Sequence, residues 1–147
     1  AGDVGNCSAV EELNYLDHAS HAVVTTTLGE GWGLSSTEAM AAGTLVVAPH
    51  NSSIPELLGN RSPDDAVRGL SVKCGGPSLW VQGGRMDHDS IRPLTDVEDM
   101  VEKLVFAREN PGRVAEITGE AHRWVQNLNW ERVIHEHWLP LFEGAAT

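Results

Sequence analysis

Three short apolar runs, residues 21–26, 45–49 and 70–73, alternate with sequence of helical character, and this alternation restricts the fold more than any other feature. Parallel strands need a crossover between them, so the order strand, helix, strand, short helix, strand predicts a parallel sheet with flanking helices, a Rossmann-like α/β fold. A first helix is predicted from about Ser8 to Ala19, opened by the capping box Ser8-Ala9-Val10-Glu11. From Gly75 to Pro93 the composition turns to Gly, Pro, Asp and Trp without periodicity, which predicts a long surface loop over about 75–93. Three helices then fill about 96–143: one from Thr95-Asp96-Val97-Glu98, one opened by Pro111 and one capped by Asn129. Their apolar stripes, such as Val97, Met100, Val101, Leu104 and Val105, or Trp130, Ile134, Trp138 and Leu141, read as packing surface.

A chain of 147 residues is one domain, 1–147, able to bury roughly two thirds of its unfolded surface. A net charge of −11 with no basic stripe argues against nucleic acid and anionic lipid as partners. No stretch reaches the length of a membrane span and none reads as a signal peptide, so Cys7 and Cys74 are expected as free thiols in a reducing cytoplasm.

Chemistry concentrates where the first strand runs into the second helix, at Glu30-Gly31-Trp32-Gly33-Leu34-Ser35-Ser36-Thr37-Glu38. The first amides of a helix lie unpaired and its dipole favours negative charge, so this crossover suits a phosphate. Glycines at 29, 31 and 33 allow close backbone approach. Carboxylates on either side suit vicinal hydroxyls, and a nucleoside diphosphate sugar has a diol at each end with phosphates between. The competing reading is a capping box, Ser35-Ser36-Thr37-Glu38, in which Glu38 only closes the helix start. The glycine spacing is not a dinucleotide fingerprint, since Leu34 stands where GxGxxG needs glycine.

The run Leu16-Asp17-His18-Ala19-Ser20, then Glu30 to Glu38, Ala39-Met40-Ala41-Ala42-Gly43-Thr44-Leu45-Val46-Val47-Ala48 and Ile54-Pro55-Glu56-Leu57-Leu58, resembles the donor-binding domain of retaining GT-B glycosyltransferases with an EGFGL-type signature. The resemblance is close from Leu13 to Leu58 and looser to Leu141. It implies the truncated donor-binding half of a GT-B fold, a hexosyl-type transfer with retention, and neither metal nor cofactor. It implies that Glu30, as the catalytic-site carboxylate, contacts the donor sugar, and that Glu38 binds the ribose diol. Gly31 and Trp32 form the turn, while Gly33, Leu34 and Ser35 offer amides to the diphosphate. Trp32 replaces the usual Phe or Tyr, and Ser52-Ser53 replaces a glycine pair found in many members near the sugar.

His50, just past the second strand, stands where α/β folds bind ligands and is a further donor-contact candidate. His135 and His137, two apart, point to different helix faces and cannot share a metal as an i, i+4 pair can; Met86-Asp87-His88-Asp89 reads as a solvated acidic loop. The family's acceptor domain and its diphosphate-binding Arg and Lys have no counterpart here. Arg61, Arg68, Lys73 and Arg85 fall at other places, leaving a non-catalytic nucleotide or sugar-binding remnant as the alternative, and a purely structural domain in which Glu38 caps as a third reading. The acceptor is unknown from sequence. With the family's first strand absent, the strand at Val23 and Val24 is expected to have a bare edge and to drive homo-oligomerisation.

Overall fold

A computed structural model describes residues 10–62, 64–81 and 90–145. The predicted Ser8 cap, Cys7, Arg85 and the Met86–Asp89 stretch lie outside these. Helix α1 (Val10–Ala19) leads into β1 (Ala22–Val24), α2 (Leu34–Ala41), β2 (Leu45–Pro49), α3 (Ile54–Leu58) and β3 (Leu70–Val72). The three strands form a parallel sheet in the order β1-β2-β3, with Val23 opposite Val46 and Val47 opposite Leu70. The expected Rossmann-like α/β architecture is therefore present.

β2 is central and buried along its whole length, and its two faces feed two apolar clusters. Val46 and Ala48 pack with Ala39 and Met40 of α2 and with Ile54, Leu57 and Leu58 around α3. Leu45 and Val47 point the other way, toward Leu70, Val72 and Met100. Period-two alternation on a strand covered on both sides explains this partition. Each fully buried aliphatic side chain contributes roughly 1.5–3 kcal/mol, so this strand is where a polar substitution would harm folding most.

The sequence-based loop over 75–93 is corrected by a hairpin. β4 (Cys74–Val81) pairs antiparallel with β5 (Ser90–Thr95), Ser78 lying opposite Pro93 and Trp80 opposite Ile91. Gly75, Gly76 and Pro77 dilute the strand-forming run Leu79-Trp80-Val81, and a proline within β5 is tolerated because both strands of a two-stranded sheet are edges. Residues 82–89 lie outside the described residues.

α4 (Val97–Glu109), α5 (Pro111–Val125) and a last helical run follow, the run made of α6 (Trp130–Val133), a π-helical turn (Ile134–Trp138) and α7 (Leu139–Ala145). Asn129 caps the last run as predicted, accepting the Arg132 amide at 2.9 Å, and within the predicted helix start at 95–98 the cap of α4 is Asp96, which accepts the Asp99 amide at 3.0 Å. α5 buries Ile117 and Ala121 as its stripe requires. The other two stripes are only partly used. On α4, Met100 is buried while Val97 and Val101 are exposed, and Trp130, Ile134, Trp138 and Leu141 of the last run are exposed as well. Helical period marks an apolar face but not what covers it, and among the described residues no layer lies over these faces. No described helix is long and apolar enough to cross a membrane.

α4 is tied to the end of β3 by a buried carboxylate. Asp99, 4 % exposed, accepts the Lys73 amide at 2.9 Å through Oδ2, and its Oδ1 lies 3.2 Å from Lys73 Nζ and 3.6 Å from Lys103 Nζ. Desolvation pushes the Asp99 carboxyl up, but the Lys73 amide, the Lys73 ammonium and Lys103 outweigh it and hold the group below its ordinary range. The hydrogen bond to Asp99 raises the Lys73 ammonium in return.

Candidate functional site

The crossover from β1 to α2 is built by the turn that follows it. Gly33 is the N-cap of α2, at φ 96° and ψ 61°, and its carbonyl accepts the amides of Ser36 and Thr37 at 3.1 and 3.2 Å. Because the helix starts at Leu34, Ser35 is already inside it, and the capping box expected of Ser35 and Glu38 does not form: no side chain caps this helix. No bond among the described residues takes up the amides of Leu34 and Ser35. They are the donors that a helix start leaves for a guest.

Glu38 stands exposed on α2 and borders a mainly apolar cavity of about 440 Å³, with Trp32, Leu34 and Thr37 on one side and Val125, Asn129 and Trp130 on the other. Glu30 is exposed and does not border that cavity. Among the described residues neither carboxylate has a hydrogen-bond or ion-pair partner, so both keep their acceptor capacity for a ligand. Gly31 is open, with no atom within 4 Å of where a Cβ would stand.

His50 goes elsewhere. Its Nδ1 lies 2.9 Å from Ser71 Oγ, its amide donates to Val72 at 2.7 Å, and its ring lines a separate cavity of about 370 Å³ with Lys73, Cys74 and Lys103. Burial raises the Cys74 thiol there. The structure thus brings Trp32, Leu34 and Glu38 together, sets Glu30 beside residues 51–53, and turns His50 toward β3.

Cations named from sequence are engaged in the scaffold. Arg61 pairs with Glu56 at 3.5 Å, Lys73 pairs with Asp99, and Arg68 packs 4.4 Å over Trp124 while donating to the Leu57 and Glu56 carbonyls at 2.9 and 2.6 Å. Burial lowers the Arg68 guanidinium without removing its charge. The cation the sequence reading missed is Arg92, on β5: a Cβ on Gly29 would stand 2.5 Å from its Nη1. It reaches the turn from 63 positions downstream (92 minus 29), across a hairpin that sequence did not predict.

The sequence matches known proteins over the unit that carries this turn. The family described as glycosyl transferases group 1 matches residues 4–81, just over half of the 147 residues. D-inositol 3-phosphate glycosyltransferase of Rhodococcus erythropolis (strain PR4 / NBRC 100887) is 32 % identical over 123 residues, which is 84 % of this chain and 22 % of that protein. The protein of the same name from Rhodococcus jostii (strain RHA1) is 29 % identical over 123 residues, with the same shares covered. The chain therefore spans about a fifth of the length of these relatives. Its match to the family over residues 4–81 contains the whole β1–α2–β2–α3–β3 unit that carries the turn, and the chain belongs to the group 1 glycosyl transferases.

Proposed function

We propose that this chain is the donor-binding part of a glycosyltransferase, taking a nucleoside diphosphate sugar and passing its glycosyl group to an acceptor with retention of configuration. The observation that carries the reading is the α2 start, where the unpaired Leu34 and Ser35 amides follow a left-handed Gly33 and lie between two carboxylates without partners. In the reaction, the bond from the anomeric carbon to the diphosphate oxygen breaks, one to the acceptor oxygen forms, and the proton of the acceptor hydroxyl passes to the departing diphosphate. Amide dipoles preorganised at the diphosphate stabilise the charge it gains on leaving. Glu38 holds the ribose diol, Glu30 the sugar hydroxyls, and Arg92 adds positive charge beside the turn. The relatives are named for D-inositol 3-phosphate, so a polyol phosphate of that kind is the first acceptor to supply in a transfer assay.

A second reading is a module that binds the nucleotide or sugar without transfer. It is favoured by the structural engagement of Arg61, Arg68 and Lys73, which leaves little cationic charge for a leaving diphosphate. Transfer or donor hydrolysis separates the two readings.

Calorimetric titration tests the site itself. Glu38→Gln should weaken binding of a nucleoside diphosphate by about 1.5–3 kcal/mol, the worth of hydrogen bonds to a charged group, and Arg92→Gln should weaken it as well. Glu30→Gln should weaken a nucleotide sugar more than the matching nucleoside diphosphate. Unchanged affinity in Glu38→Gln, or equal effects of Glu30→Gln on both ligands, would refute these roles.

A further inference from the structure

Residues 51–53, between β2 and α3, are laced to the Glu30 turn from 22 and 23 positions away. The Glu30 amide donates to Ser52 Oγ at 2.8 Å, the Ser52 hydroxyl donates to Asn51 Oδ1 at 3.1 Å, and Asn51 Nδ2 donates to the Thr27 carbonyl at 2.9 Å. The Ser53 hydroxyl lies 3.1 Å from the carbonyl oxygens of both Glu30 and Trp32 and shares its one proton between them. Side chains of one short turn thus hold both the amide and the carbonyl of Glu30, while its carboxylate is left without a partner among the described residues.

Two facts argue that this lacing does more than join two elements. Glu30 and Ser52 are exposed, so water would satisfy the Glu30 peptide groups if satisfaction were all that mattered. Ser52 also sits at φ 45°, the only non-glycine in the left-handed region among the described residues. Such a conformation persists where its surroundings over-determine it, and here it presents the Ser52 hydroxyl to the Glu30 amide.

We propose that Asn51, Ser52 and Ser53 are positioning residues for Glu30, fixing its backbone so that the free carboxylate meets the hydroxyls of the donor sugar in one orientation. This rests on the reading of Glu30 as the sugar-binding carboxylate. Ser52 acts through Glu30 alone, whereas Ser53 also holds the Trp32 carbonyl, one peptide before the start of α2 where the nucleoside diphosphate is gathered, so Ser52 is the cleaner probe of the sugar part of the donor.

The test uses the full chain and calorimetric titration with UDP-glucose, ADP-glucose and GDP-mannose, each beside its own nucleoside diphosphate; the tightest pair is carried forward. Ser53→Ala and Ser52→Gly should each lose roughly two- to tenfold in affinity for the nucleotide sugar, the worth of one hydrogen bond; Ser52→Gly should keep the nucleoside diphosphate affinity within twofold, and Ser53→Ala should lose less for the nucleoside diphosphate than for the nucleotide sugar. Ser53→Thr, which retains the hydroxyl, should restore binding. Ser52→Gly should melt close to the parent, because glycine relieves the left-handed strain. Glu30→Gln/Ser53→Ala should bind no worse than Glu30→Gln alone, since both changes remove the same contact. The proposal is overturned if the serine variants bind both ligands like the parent while Glu30→Gln selectively loses the sugar; the reading of Glu30 then stands by itself. Equal losses for both ligands with a lower melting temperature would make the turn a purely structural clamp. If Glu30→Gln shows no selectivity, or no nucleotide sugar binds, the reading of Glu30 fails and the positioning role falls with it.

Discussion

Replacing Gly33 by Val strikes the crossover at its tightest point. The residue occupies φ 96°, where a side chain with a Cβ is strained by about 1–3 kcal/mol. Space is short as well: a Cβ there would stand 3.1 Å from Leu57 Cδ1 and 3.5 Å from Ile54 Cδ1, and both leucine and isoleucine are fully buried. The two further methyls of valine have to displace that part of the core, and overpacking of this kind costs about 1–3 kcal/mol more. The sum, about 2–6 kcal/mol, is a large share of the roughly 5–15 kcal/mol that holds a domain together.

Urea unfolding followed by tryptophan fluorescence reads this directly. With a denaturant slope of about 1–3 kcal/mol per molar, the Gly33→Val midpoint should fall by on the order of 2 M at the middle of both ranges, or the variant should fail to fold. Gly31→Ala is the internal control, because Gly31 is outside the left-handed region and has nothing within 4 Å of a new Cβ; its stability should stay within about 0.5 kcal/mol of the parent. An unchanged midpoint in Gly33→Val, or a loss in Gly31→Ala as large as in Gly33→Val, would refute the reasoning.

Asp99→Asn should destabilise by roughly 1.5–3 kcal/mol at neutral pH, the worth of hydrogen bonds to a charged group. Because the folded Asp99 pKa is lowered, its contribution is complete above the ordinary carboxylate range near pH 4 and is lost as pH falls through the lowered value; a gap between parent and variant that persists in acid would contradict the assignment. The self-association expected of a bare sheet edge is retained as a proposal: β1 has a strand partner on one side only among the described residues, and Val24 is 45 % exposed. Light scattering at micromolar concentration should show species larger than a monomer, and Val24→Lys should reduce them; a strictly monomeric parent would end that proposal.

The parts of the fold legible in the sequence are those decided locally or by periodicity. Val46 and Val47 sit in a short β-branched run and Asn129 stands ahead of a helical stripe, and each lies where the sequence places it. The β4–β5 hairpin was not legible, because Cys74–Val81 and Ser90–Thr95 show no alternation and are recognised as strands only through each other. The exposed stripes on α4 and the last helical run were misjudged for a related reason. A period identifies the apolar face of a helix, whereas burial depends on whether another element covers it.

At the site the division falls differently. Residues 30–38 display the chemical groups, two carboxylates and a glycine-broken helix start, within one continuous stretch, so their types and order are visible in the chain itself. Their placement is decided at a distance. Gly33 is distinguished from Gly29 and Gly31 by the Leu57 and Ile54 side chains beneath it, Gly29 has Arg92 against it, and Glu30 is gripped by Ser52 and Ser53. The capping-box reading of Glu38 failed on a shift of two residues in where the helix begins, from Ser35 to a glycine N-cap at 33, and that shift depends on Gly33 adopting a left-handed conformation that sequence spacing does not reveal. It follows that the nonapeptide is not sufficient for the proposed site: transplanted to another strand-to-helix turn without the 51–53 segment and the core under Gly33, the same residues would keep their charges and lose the geometry on which the proposed donor site rests.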